Sequence, residues 1–389
     1  MDMSDKSIAF ATALPVAEIL TIKRDVDLIK KYIGLPNSIK NHFFLYFAPY
    51  SALVCHEAIN YINKKGQEVQ LEQTSKYSIE TIRKKAKFFD LSFNQIMQST
   101  ANVDMLQHEW FANDMRFPEL ARWNVHDNLG ISFDVNKNII GNTQYAAWVY
   151  QDEDTIKKPL SEAKNFRLQN EELYNFAFDM GRVLASISDG LSAVKDFITS
   201  DVSMHEMKIY ANDFNTNRCN SEGEDKYKII QLLLLHILSS IGFILHVAKT
   251  YTIRDSGLLL RVQYIMYSAA LKRFDQLKTY LQNNSTEIDD KNLLSLLSKF
   301  NFKENPLLSA TFGNSMRHYG LFDKNGMPLI KEEYFNLALP LCGLVESQFN
   351  VSYFEYQLSV ENALAELYKE LGDYLGFNDS LSIEDDAFA

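Results

Sequence analysis

Apolar residues recur along most of this chain at intervals of three and four, the spacing that puts them on one face of an α-helix. The first such run covers residues 7–34 and ends near Gly34-Leu35-Pro36. A second extends from Ser38 to Lys64 through His42-Phe43-Phe44-Leu45-Tyr46-Phe47 and Pro49. Two further helices are predicted at Ser78–Phe89 and Ser92–Gln107, with Ser78 and Ser92 as N-caps. Helical spacing returns from Asn170 to Ser200, carried by Leu173, Phe176, Met180, Val183, Leu184 and Ile187. After it come helices at Leu258–Leu281, Lys291–Phe300, Ser309–Tyr319, Tyr334–Phe349 and Tyr353–Leu375, with a turn at Asp323-Lys324-Asn325-Gly326.

Two stretches break this rhythm. Between 116 and 150 the pattern shortens to β-branched and aromatic runs, Ile131–Val135 and Gln144–Tyr150. With Asn138–Asn142 as a turn they predict a small hairpin inserted in a helical protein. Residues 211–225 are polar and Asn-rich, and read as a linker. The expected organisation is therefore a helical N-terminal domain (1–210) carrying the β insertion, the linker, a helical C-terminal domain (226–378) and an acidic tail (379–389). The run Ile229–Ala248 has the length of a membrane span. Gln231, His236, Ser239, Ser240 and His246 within it favour the central helix of a bundle instead, and no stable membrane association is expected.

Composition supports a mainly α fold. The 389 residues contain only 8 Pro and 15 Gly to interrupt helices, while 26 Phe and 20 Tyr supply a large aromatic core. The net charge of −11 offers no broad basic surface to nucleic acid and confines any RNA site to a locally cationic cleft. Cys55, Cys219 and Cys342 are widely spaced, without the pairing of a zinc or redox motif. Together with an N-terminus that lacks a basic and then apolar leader, they predict a cytoplasmic protein.

Few residues invite chemistry. His56-Glu57, His108-Glu109 and His205-Glu206 each lack the second histidine that would complete a helical metal site, and no metal or cofactor is expected. Phosphate-loop, dinucleotide and nucleophile-elbow signatures are absent from the sequence. Arg116, Phe117, Arg122, Trp123 and Trp148 form a cluster that reads either as a stacking surface for bases or as a surface hairpin packed through its tryptophans. The densest polar run is Gly313-Asn314-Ser315-Met316-Arg317-His318-Tyr319-Gly320. In a helix, Asn314 and His318 stack one turn apart, joining an amide to an imidazole that titrates near neutrality. Arg317 falls roughly 100° round the helix from His318. The alternative is a helix end where Arg317 and His318 favour the negative pole of the dipole and Gly320 ends the turn.

The segment Phe312–Gly320, set among about five helices over 222–378, resembles the motif region of the HEPN superfamily, whose helical domains carry an Arg–polar–three residues–His signature. The resemblance implies a metal-independent ribonuclease or RNA-binding module of the kind found in toxin and antiviral defence systems, working as a homodimer. It assigns His318 as general acid/base and Asn314 as the residue that positions ribose or phosphate. The signature Arg is replaced by Gly313, so either Arg317 substitutes as the cation or the domain is a non-cleaving relative. The runner-up is a helical interaction module that binds a partner protein or nucleotide.

Overall fold

Residues 3–64, 78–86, 92–114, 128–150, 170–194, 198–216, 225–255, 257–284 and 290–377 are described by a computed structural model, and it is mainly helical. The two long apolar patterns at the start become α1 (Met3–Ile33) and α2 (Asn37–Lys64). They pair through Tyr32 against Phe43, ring centroids 4.5 Å apart. Next come α3 (Ile79–Ala86) and α4 (Phe93–Asp114). Their predicted caps form: Ser78 Oγ accepts the Thr81 N–H at 3.0 Å, and Ser92 exchanges bonds with Gln95.

The β insertion exists, with its second strand in a different place. β1 (Leu129–Phe133) pairs antiparallel with β2 (Ile139–Asn142), the stretch expected to be the turn. The turn itself falls earlier, where Asp134 Oδ1 accepts the N–H groups of Asn136 and Asn138, and Lys137 takes a left-handed conformation (φ 66°). The segment Gln144–Tyr150, expected as a strand, is instead α5 (Thr143–Val149), because the Asn142 side chain caps it by accepting the Tyr145 N–H at 2.8 Å. Trp148 accordingly lies in the core with the Lys85 ammonium over its ring, while 116–123 fall outside the described residues.

After α6 (Asn170–Gly190) and β3 (Asp201–Val202), the chain forms β4 (Tyr210–Phe214). This strand joins the other edge of β1, giving the order β2-β1-β4. The polar stretch expected as linker therefore begins as sheet. Its alternating exposed and half-buried pattern is that of an edge strand with one wet face.

The most apolar segment is α7 (Asp225–Gly242), which continues through a π-helical stretch, Phe243–Ala248, and a last turn, Lys249–Tyr251. The helix from Lys226 to Tyr251 is long and apolar enough to cross a membrane, and 83% of its most apolar window is buried inside this chain. It packs on β2 at Gly242, where a Cβ would sit 1.9 Å from the Ile139 carbonyl oxygen. After β5 (Thr252–Arg254) come α8 (Leu258–Asn283), α9 (Lys291–Lys299), α10 (Ala310–His318), α11 (Pro340–Phe349) and α12 (Tyr353–Tyr374). α11 starts later than the apolar pattern predicts. Pro340 occupies its first turn, and Asn336 folds the preceding residues into a turn by accepting the Ala338 N–H. One hydrophobic core runs from Leu14 to Leu371, so the helices on either side of 211–225 share their packing. Phe43 of α2 meets Phe243 of the α7 extension at 5.3 Å.

Candidate functional site

The polar run singled out in the sequence forms α10, nine residues anchored at both ends. At its start, Ser309 Oγ accepts the Phe312 N–H at 3.3 Å, and the Ser309 carbonyl accepts the Tyr264 hydroxyl of α8 at 2.8 Å. Phe312 drives the helix into the core, edge-on to Tyr264 (5.0 Å), Phe349 (5.0 Å) and Tyr356 (5.4 Å). Met316, one turn on, is also fully buried. The two residues seat the helix on α8 and α12 and leave its other side to the surface.

The C-terminus is built differently from expectation. The left-handed cap residue is Tyr319 (φ 59°), not Gly320. A non-glycine residue in that conformation costs roughly 1–3 kcal/mol and persists only when its surroundings hold it. Tyr319 is held by its hydroxyl, which donates to Asp25 Oδ2 of α1 at 2.6 Å, and by the Arg261 guanidinium lying 3.8 Å from its ring centroid. The same guanidinium donates to the Ser315 carbonyl at 2.9 Å, which also accepts the Tyr319 N–H at 3.0 Å, and to the Met316 carbonyl at the helix end. Arg261 Nε completes the group at 3.1 Å from Asp25 Oδ2. Burial outweighs both partners and pushes the Asp25 carboxyl up to about 6.

The exposed side of α10 borders a groove of about 440 Å³ between α8 and the 302–310 segment. Its polar walls are Ser268, Lys272, Lys303, Ser309, Asn314 and Arg317; three of these are cations, and no carboxylate lies among the described lining residues. Tyr264 and Phe302 add aromatic surface. Gly313 forms part of the floor. A Cβ on it would lie 3.3 Å from the Tyr264 hydroxyl and 3.5 Å from Arg317 Nη1. The Arg317 side chain thus folds back one turn and lays its guanidinium over the glycine.

His318 is absent from the groove lining. Its imidazole faces α2, where Nδ1 lies 3.2 Å from Glu57 Oε1. The histidine side chain is 46% exposed and the carboxylate only 11%. With Nδ1 engaged by a carboxylate, Nε2 is the nitrogen left to exchange a proton with a ligand. Of the three residues singled out, the structure brings Asn314 and Arg317 to one groove and sets His318 one helical turn beyond Asn314.

Sequence reasoning missed Glu57, Lys272 and Lys303, which reach the site from other elements. It also missed that Gly313 and Arg317 are themselves four apart, a spacing that places an arginine over a glycine on one helix face. Of the His-Glu pairs, Glu57 serves His318, while His56 contacts Glu80 at 3.2 Å. Among the described residues no three His, Cys, Asp or Glu side chains gather as a donor set for a metal ion. No protein-family model, curated protein or solved structure matches this chain.

Proposed function

We propose that the protein binds RNA in the α10 groove and cleaves it without a metal ion, as a HEPN-like ribonuclease whose cation has moved from position 313 to Arg317. One observation carries this reading: the Arg317 guanidinium lies over Gly313, where a longer side chain at 313 would enter the groove. Lys272 and Lys303 add positive charge to the same walls, so a molecule of net charge −11 still presents a local phosphate site. A polynucleotide laid along the groove would set its phosphate oxygens against Arg317 and Lys272, with Asn314 bonding a ribose or phosphate oxygen.

RNA brings its own nucleophile. His318 Nε2 takes the proton of the 2′-hydroxyl, the 2′-oxygen bonds to phosphorus, and the bond from phosphorus to the 5′-oxygen breaks. The products are a 2′,3′-cyclic phosphate and a 5′-hydroxyl, whose proton comes from the imidazolium or from water. Arg317 steadies the charge that builds on the phosphate oxygens, and Glu57 holds the imidazole in place from Nδ1. The reading includes a homodimer. Phe354 and Leu358, 78% and 56% exposed and one turn apart on α12, are an apolar pair that a second copy would cover.

The test is a titration of fluorescent single-stranded RNA, followed by incubation with chelator present. Arg317→Ala should weaken binding about ten-fold and flatten its salt dependence by about one charge. His318→Ala should bind as tightly as the wild type and release no cyclic-phosphate product. A wild-type chain that binds no RNA, or an Arg317→Ala variant that binds unchanged, refutes the assignment. The interaction-module reading would then stand, with the Phe354–Leu358 pair as its contact surface.

A further inference from the structure

A second cavity, remote in sequence from α10, has a different chemistry. It holds about 500 Å³ between α1, α2 and α6, within the roughly 300–1,000 Å³ typical of small-molecule sites. Its walls are apolar and largely aromatic: Tyr32 from α1, Phe43, Phe44 and Phe47 from α2, and Ala177 and Met180 from α6. The Tyr32 hydroxyl is already committed to Thr252 at 2.7 Å, so this ring shows the cavity its carbon face. Two polar side chains, Lys40 and Asn41, stand at the rim, and Ser51 adds a hydroxyl to the lining. Lys40 is half-buried and Asn41 exposed, and neither side chain makes a hydrogen bond or ion pair among the described residues. Among the described residues no carboxylate lines the cavity.

Both rim residues lie near the N-terminus of the 28-residue α2, where the Pro36 carbonyl takes the Ile39 and Lys40 N–H groups. The helix dipole there favours negative charge, and an uncommitted ammonium favours it further. An apolar chamber opening beside a free cation and a free amide fits an amphiphile with one long hydrocarbon chain and one anionic end. A neutral apolar molecule would leave the ammonium unused. A multiply charged nucleotide would leave its phosphates in front of phenylalanine.

We infer that this cavity binds a long-chain monocarboxylate, its tail among Phe43, Phe44, Phe47 and Met180 and its carboxylate against Lys40 and Asn41. The site is independent of the RNA reading, since no residue of the groove lines it.

The experiment uses the full chain and a polyene fatty acid whose fluorescence rises in apolar surroundings, kept below its micelle concentration. Saturable emission, displaced by unlabelled fatty acid, is the expected result. Lys40→Glu, a charge reversal at the half-buried rim, should weaken the acid at least roughly ten-fold, since it removes one charge-assisted contact, and leave the matching long-chain alcohol unchanged. Ala177→Trp, which fills the chamber from α6, should abolish binding of both, with circular dichroism confirming that the variant is folded. Emission that never saturates overturns the inference, as does equal binding of the acid by wild type and Lys40→Glu. Binding to anionic phospholipid vesicles without binding of the monomeric acid overturns it too, since it places the recognised carboxylate or phosphate on a membrane surface.

Discussion

At the scale of single residues, Gly313 and Arg317 have to be read together. A methyl group on Gly313 meets the Tyr264 hydroxyl at 3.3 Å, a tight contact that a small shift relieves, and Arg317 Nη1 at 3.5 Å, an ordinary van der Waals distance. Alanine also raises helix propensity by roughly 1 kcal/mol over glycine, which offsets that crowding. Gly313→Ala should therefore change stability by less than about 1 kcal/mol in urea denaturation and leave the Arg317 side chain in place. A variant that loses stability heavily contradicts these distances. Gly242 is the opposite case. Its absent Cβ leaves room for a backbone oxygen, and backbone does not swing aside as a tyrosine does. Gly242→Ala should cost about 3 kcal/mol or more, read as a drop in denaturation midpoint at unchanged slope.

At the scale of elements, α10 shows how a short helix far from good intrinsic stability is made rigid. Nine residues are marginal on their own. Three neighbours supply what is missing: the Ser309 cap at the front, Phe312 and Met316 in the core, and the Asp25–Tyr319–Arg261 group at the back. The last of these is the most exacting, since a buried carboxylate depends on each donor it has. Tyr319→Phe keeps the ring over Arg261 and deletes only the hydroxyl. It should cost about 2 kcal/mol, the worth of a hydrogen bond to a charged group, measured by thermal and urea denaturation. A loss confined to a few tenths would mean that Arg261 alone satisfies Asp25. The starts of α9 and α10 were readable in the chain because caps and periodicity agree there, and periodicity alone placed α8. The strand–helix choice at 139–149 was not. Ile139-Ile140 and Ala146-Ala147-Trp148-Val149 are both short apolar runs, and the Asn142 cap decides between them only once its side chain has a direction.

At the scale of the whole molecule, the Asp25 group ties the N-terminal helix α1 to α8 and α10, so its protonation bears on global stability. Burial raises the folded carboxyl from 3.8 to about 6, and the native state therefore holds a proton that the unfolded chain releases between those values. The sign follows: Asp25's contribution is full below about pH 4 and is lost as pH rises through 6, by about 3 kcal/mol in all. Comparing wild type with Asp25→Asn by urea denaturation from pH 4 to pH 7 should show the wild type losing ground by that amount. Parallel curves would mean the carboxyl keeps its ordinary affinity. His42 and His236 act in the reverse sense. Burial lowers them to about 4 and about 3, so their contribution is lost as pH falls below the ordinary imidazole range. Between pH 4 and 6 the two imidazoles outweigh the one carboxyl, so the two tendencies together predict stability that rises towards neutral pH.

By itself the sequence determined the helical class, the places of most helices including the polar run at 310–318, and the buried character of 229–248. Those features are local: a helix face, a cap or an apolar stretch is set by residues within a turn or two of one another. Only the tertiary structure decided that β4 would complete the sheet from inside the expected linker, and that Tyr319 would end α10 in a left-handed turn. It also decided that Lys272, Lys303 and Arg317 would face one groove while Glu57 turns to His318. Each of these joins residues far apart in the chain. Their partners are chosen by how the core packs and by where a buried charge can be neutralised, and periodicity carries no record of either.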